Sequence, residues 1–254
     1  MDAYSDTPDD PLPRAGRLAW WGTAWLRGDI GPDDLLDAVT GSDVAHLVVG
    51  APAGAAGLVP LLADARDRGA TAVGAAFPAA GDPIGVRGPA PFTAAAVEAG
   101  EAALLLGAEE ALVPTVVGRA VEWVRHPAAR RPPPDLGEAD RALRSAVLDA
   151  ANGLADLDVA AWSPEIADEL HDLRHGTGLV APPGVPDACR ALAGRAIHLQ
   201  DVIALALESE GGALSLGEIE RRRALLAPLE RAVRAALTAA CSPDGWPPAI
   251  ASPR

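Results

Sequence analysis

The chain contains no lysine: all 21 of its basic residues are arginine. That absence rules out a phosphate-binding loop ending in Gly-Lys-Ser/Thr and a Schiff base to pyridoxal phosphate. It also rules out a Ser-Lys hydrolase and a kinase built on a strand lysine. Tyr4 is the single tyrosine and stands in a polar N-terminal stretch, so a Tyr/Lys dehydrogenase site is excluded as well. There are two cysteines, Cys189 and Cys241, neither with a Cys or His neighbour at metal-binding spacing. Both fall in apolar helical contexts, where a free thiol behaves as a small core residue. No Gly-x-Ser-x-Gly and no Cys beside a His marks a nucleophile.

Basic charge is scarce throughout. The chain carries 35 acids against 21 arginines, a formal net charge of −14. Residues 1–131 hold 17 acids and 10 Arg, residues 132–254 hold 18 and 11, so each half comes to −7. Neither half offers the basic face that nucleic acid or an anionic membrane surface requires. The run Arg221-Arg222-Arg223 lies between acids and reads as a solvated helix face. No apolar run approaches the roughly 20 residues that cross a bilayer. The N-terminal MDAYSDTPDDPLPRAG is acidic and Pro-rich, the opposite of a signal peptide. These features predict a cytoplasmic protein that binds neither nucleic acid nor membrane.

What the chain does have is small aliphatic side chains. Hydrophobic residues make up 49% and aromatics only 4%, so an ample core must be built chiefly from Ala, Val and Leu. Arginine without lysine, together with abundant Ala, Gly and Pro, also matches a high-GC coding bias.

Residues 1–16 read as a disordered tail. A helix is predicted over 17–27, with Leu18, Trp21 and Trp25 on one face, and a short one opens at Pro32 with Asp33 and Asp34 in its first turn. Strands are predicted over 46–50 and 71–77, around 84–86, and over 102–106, 112–117 and 120–125, with helices over 54–68 and 92–99. Strands separated by a helix predict parallel pairing by crossover, and the closely spaced later strands predict hairpins. At Arg130-Arg131-Pro132-Pro133-Pro134-Asp135 the pattern breaks, because three prolines continue neither a helix nor a central strand.

Beyond this linker the chain reads as helix. Val185, Cys189, Leu192, Ala196, Leu199, Ile203 and Ala206 form a heptad-like seam that wants a partner helix. Ser215 and Glu218 make a capping box for a last helix to about residue 241, which Pro228 should kink or split. The fold class expected is α+β: a mixed sheet with packed helices over 17–131, a helical bundle over 132–241, and a loose tail over 242–254.

Four constellations are candidates for function. Gly50, Gly54 and Gly57 lie between a predicted strand and helix, where glycine lets an anion approach free backbone N–H groups; the spacing is not that of a dinucleotide fingerprint. The loop Gly81-Asp82-Pro83-Ile84-Gly85-Val86-Arg87-Gly88-Pro89 frames one acid, Asp82, and one base, Arg87. Asp168, His171 and His175 share one face of a predicted helix and form a candidate metal set, weakened by the lack of a further ligand and by His175 standing in a last turn, where the dipole alone favours it. Trp20, Trp21, Trp25, Trp123 and Trp162 read as core filling, with interface anchoring as the alternative.

The 81–89 segment resembles that of a group of actinobacterial proteins with a Gly-Asp-Pro-x-Gly loop and no assigned activity. The resemblance implies that 81–89 is a characteristic segment and carries over no catalytic residue. Without a recognisable catalytic constellation, the chain reads first as a non-enzymatic binding or interaction protein, a homodimer through its C-terminal helices, with no cofactor. The alternative is an enzyme or small-ligand binder that recognises an anionic metabolite at Gly50–Gly57 and Gly81–Pro89, with Arg87 facing the anion.

Overall fold

A computed structural model describes residues 11–50, 57–156, 179–208 and 216–247. Helices α1 (Arg14–Arg27) and α2 (Pro32–Thr40) lead into strand β1 (Ala45–Val49), followed by α3 (Leu58–Asp67), β2 (Ala72–Ala76), α4 (Ala90–Ala99), β3 (Ala102–Leu106), β4 (Glu110–Val117) and β5 (Ala120–Pro127). Among the described residues three long helices follow: α5 (Leu136–Asp156), α6 (Asp187–Glu208) and α7 (Leu216–Ala240). The α+β class read from the sequence is the class of the structure.

The strands form one mixed sheet in the order β1-β5-β4-β3-β2. Alternation sends Val73, Ala103, Leu105, Leu112, Val121 and Trp123 to one face, where they join α1, α3 and the C-terminal helices in a single large core. The opposite face packs Ala102, Leu104, Ala111 and Val113 against Phe92 and Ala96 of α4. Small residues on β2, all five of them buried, let α1 and α7 approach closely.

The predicted β3–β4 and β4–β5 hairpins are present, but the predicted crossover pairing is overturned. β2 and β3, separated by α4, run antiparallel, and the one parallel pair of the sheet is β1 with β5. The reason is the long loop after β2. Ala76 and Ala102 mark one end of the sheet. The loop travels to the other end, where the Arg87 carbonyl accepts from Ala129 N–H. Helix α4 then climbs back, so two traversals cancel and β3 starts beside the end of β2. The strand predicted around 84–86 is part of this traverse: Pro83 lacks a donor, Gly85 has φ 73°, and a Cβ at Gly85 would press on Ala76 and Thr238.

Three further expectations meet a different structure. Residues 11–16 of the expected tail are ordered, while 1–10 lie outside the described residues: Leu12 is buried and α1 starts at Arg14, its first turn closed by Arg17 N–H on the Pro13 carbonyl. Residues 242–247 are packed, with Ser242 fully buried and Trp246 Nε1 donating to the Ala240 carbonyl at 3.0 Å. Helix α7 is not split at Pro228, which is exposed along with Ala224, so the carbonyl that loses its donor faces water. The heptad seam of α6 buries Cys189, Leu192, Ala196, Leu199 and Ile203, with α7 of the same chain packed along it. Ser215 of the expected capping box lies outside the described residues.

Edge strand β2 is closed by side chains and by the end of α7. Thr23 Oγ1 donates to the Val73 carbonyl and accepts from its N–H, at 3.1 and 2.9 Å. Ala75 N–H donates to the Cys241 carbonyl, Phe77 N–H donates to Thr238 Oγ1, and Ser242 Oγ, which donates to the Thr238 carbonyl, stands 3.4 Å from the Ala75 carbonyl. These bonds lock the C-terminal helix to the sheet and leave the edge with no free ladder.

Candidate functional site

Gly50 is exposed at the end of β1, on one edge of the sheet, with φ 78°, and Gly57 is the residue before α3. Gly54 lies outside the described residues, as do Asp168, His171, His175 and Trp162. The 81–89 loop leaves β2, on the other edge. Asp82 does not face Arg87. Its Oδ2 accepts from Arg234 Nη2 on α7 at 2.8 Å, with Arg231 Nε at 3.8 Å. Arg87 is exposed, while its backbone carbonyl holds Ala129. The loop is thus pinned at one end to the C-terminal helix and at the other to the start of the Pro-rich linker.

That linker bounds the candidate site. Residues 128–134 run across the sheet face on which Leu104 and Leu106 lie, leaving a cleft of about 480 Å³. It is lined by Leu104–Gly107 of β3 and the following turn as an apolar floor, by Gly69, Thr71, Glu109 and Glu110, by Ala128–Arg131 and Pro133 of the linker, and by Asp244. A cavity of that size with an apolar floor and few polar groups has the usual proportions of a small-molecule site. Its narrow end depends on Gly107, whose φ of 104° and near contact with the Gly69 carbonyl leave no room for a side chain.

Five charged residues line the cleft, and three of them are already neutralised. Arg131, its side chain 6% exposed, donates from Nη2 to Ser242 Oγ at 2.8 Å and to Asp244 at 3.4 Å. It lies over Gly74, where a Cβ would stand 2.9 Å from Nη2. Burial pulls this guanidinium below the usual arginine value, partly offset by the Asp244 carboxylate. Glu110 is buried and accepts from both Arg68 and Arg125, which also meet Asp64, so two cations and two anions balance. The remaining two, Glu109 and Arg130, are exposed and have no ion-pair partner among the described residues. Glu109 is also the one non-glycine described residue with positive φ, at 51°. The hairpin turn imposes that strained conformation and places the carboxylate at the cleft wall.

Neither residue stood out in the sequence. The available signals were an acidic pair placed directly after a glycine turn and an arginine pair placed directly before three prolines, which together mark a turn and a linker rather than a helix face.

A second polar cluster is structural. Asp43 accepts from Arg14 Nε and Nη2 at 2.9 and 2.7 Å and from His46 Nε2 at 3.0 Å. His46 Nδ1 lies 3.1 Å from Trp123 Nε1. An indole N–H only donates, so Nδ1 accepts, the proton sits on Nε2, and His46 is neutral with both nitrogens engaged. Burial of Asp43 alone would raise its carboxyl, but hydrogen bonds from Arg14 and His46 outweigh this and hold it down at about 2. Burial lowers the His46 pKa, more than its bond to Asp43 raises it. Trp20 and Trp123 are fully buried, as core filling requires, and Trp21 and Trp25 are half-buried.

A mixed five-stranded sheet with helices on both faces, tied by a Pro-rich linker to three long helices and carrying a cleft under that linker, defines an α+β protein of two sequential parts. Residues 15–136 match the N-terminal domain of Rv1486c-like proteins, and residues 137–238 match their C-terminal domain. The chain belongs to this family. It is 28% identical to uncharacterized protein Rv1486c of Mycobacterium tuberculosis (strain ATCC 25618 / H37Rv), over 91% of this chain and 97% of the relative. Uncharacterized protein MT1533 of M. tuberculosis (strain CDC 1551 / Oshkosh) is similar to the same extent, again 28% over 91% and 97%. These relatives have no assigned function. No solved structure matches the chain. The junction of the two matched domains falls five residues beyond Arg131, at the end of the linker that roofs the cleft.

Proposed function

We propose that this is a cytoplasmic, non-catalytic binding protein that holds a small molecule with an anionic group in the cleft under the 128–134 linker. The observation that carries this reading is Arg130: an arginine without an ion-pair partner among the described residues, on the wall of a cleft with a leucine floor. A guanidinium there offers a planar pair of donors to a carboxylate or phosphate. Two of the described residues able to do nucleophilic or acid–base chemistry are committed to other work. Cys189 is buried and its thiol is pushed up to about 12 by that burial, and both nitrogens of His46 are used in the core. The cleft is bounded within one chain, so the role needs no second copy. The 81–89 loop supports it indirectly, by holding Ala129 and by anchoring to α7, rather than through Arg87 itself.

A thermal-shift screen of small carboxylates and phosphoesters tests this, since a ligand that binds the native state alone raises the unfolding temperature. At least one compound should give a saturable upshift that Arg130→Ala abolishes and Arg87→Ala leaves in place. A panel without any shift, or a shift that survives Arg130→Ala, overturns the reading.

A further inference from the structure

We infer that the ligand of this cleft is zwitterionic: a small molecule with an apolar body, an anionic group and a cationic group, as in a free amino acid with an aliphatic or aromatic side chain. The inference rests on the cleft being the binding site and goes beyond it by naming the chemical class. Its basis is the balance of charge along the walls. A site for a simple anion would surplus positive charge, yet every other charged group here is matched: Arg131 by Asp244 and Ser242, and Glu110 by Arg68 and Arg125. What remains is one cation and one anion, Arg130 and Glu109, both exposed and both lining the cleft.

An unpaired carboxylate on the wall of an anion site would repel the ligand it is meant to hold, because like charges across a partly desolvated gap are costly. The same carboxylate facing an ammonium group contributes to binding and to specificity. Leu104 and Leu106 between the walls then take the apolar body, a contact a purely polar zwitterion would not fill. Selection follows from the same arrangement. A ligand that lacks either charged group forms one ion pair instead of two and covers part of the unmatched side chain without pairing it.

Calorimetry and thermal shift on the full chain test this with matched probes: leucine and phenylalanine, their deamino carboxylates 4-methylpentanoate and 3-phenylpropanoate, and their decarboxy amines 3-methylbutylamine and 2-phenylethylamine. The expected result is saturable binding of at least one amino acid, with its carboxylate and its amine each weaker by tenfold or more. Glu109→Gln should remove the preference for the amino acid over its carboxylate, and Arg130→Gln should remove the preference over its amine, both variants unfolding at the wild-type temperature without ligand. If a carboxylate binds as tightly as its amino acid and Glu109→Gln changes nothing, the zwitterion inference fails while anion binding at Arg130 stands. If carboxylates or phosphoesters bind and neither amino acid does, it fails in the same way. If no amino acid, carboxylate or phosphoester binds, both fail.

Discussion

Asp82 and Arg234, 152 residues apart in sequence, meet at 2.8 Å and tie the Gly/Pro-framed loop after β2 to the C-terminal helix. Both side chains are about four-fifths buried, so the pair is better sheltered than a surface ion pair but still near water. A double-mutant cycle of Asp82→Asn and Arg234→Gln should give a coupling of about 0.5–1 kcal/mol. Arg87→Ala, by contrast, should change the unfolding free energy from urea titration by no more than the roughly 0.5 kcal/mol usual for an exposed side chain. If the cycle couples Asp82 to Arg87 instead, the loop has a different geometry in solution.

Thr23 is the side chain that closes the β2 edge. It serves the N–H and the carbonyl of Val73 with one hydroxyl, and the whole group is buried. Thr23→Val keeps the shape and leaves both backbone groups without a partner. The expected loss is about 2–3 kcal/mol, read as a lower urea midpoint with an unchanged denaturant slope. Thr23→Ser, which keeps the hydroxyl, should recover most of it.

These two contacts show how far the sequence was legible and where it stopped being so. The strands stood out because runs such as His46–Val49 and Ala102–Leu106 are short, apolar and bounded by turns, and the β3–β5 hairpins followed from spacing alone. The antiparallel pairing of β2 with β3 did not, because it depends on how far the 77–88 loop travels, and that distance is decided by long-range contacts at Thr238 and Ala129. Asp82 stood out as a polar residue in an unusual loop, but its partner lies on α7 and no local pattern points there. Glu109 stands in a hairpin turn and Arg130 just before three prolines, and both line one cleft. Each reads locally as an ordinary exposed charge, so their relation exists only in three dimensions.

Gly107 tests the narrow end of the cleft. Its φ of 104° suits glycine, and an added Cβ would overlap the Gly69 carbonyl oxygen. Neither neighbour is a flexible side-chain tip that could swing aside, so Gly107→Ala must displace the turn. The expected cost is about 1–3 kcal/mol by thermal or urea unfolding. Any ligand upshift should also shrink, because Gly107 and Gly69 both line the cleft. A variant with wild-type stability and binding would show that the 107–109 turn does not shape the site.

The buried Asp43–His46–Trp123 chain makes stability depend on pH in two separate windows. His46 has a folded pKa below its ordinary 6.5, so the unfolded chain binds its proton more readily. Its contribution is complete above pH 6.5 and is lost as the pH falls through that value toward the lower folded pKa. Asp43 follows the same sign further down. Held at about 2 against an ordinary 3.8, it contributes on the order of 2 kcal/mol above pH 3.8, lost as the pH drops toward 2. Glu101 runs the other way. Burial raises its carboxyl despite the Ala15 N–H bonded to it, so its penalty appears as the pH rises through about 4.5. The Glu101 penalty extends upward from there and opposes the His46 effect, so His46 is read from the difference between the wild type and a variant without the ring. Urea midpoints taken from pH 7.5 to pH 5.5 should carry a downward contribution from His46 in the wild type. That contribution should be missing from His46→Asn, whose amide oxygen can still accept from Trp123 but carries no titrating ring. Parallel slopes for the two proteins would mean that His46 is not the group that gains a proton on unfolding in this range.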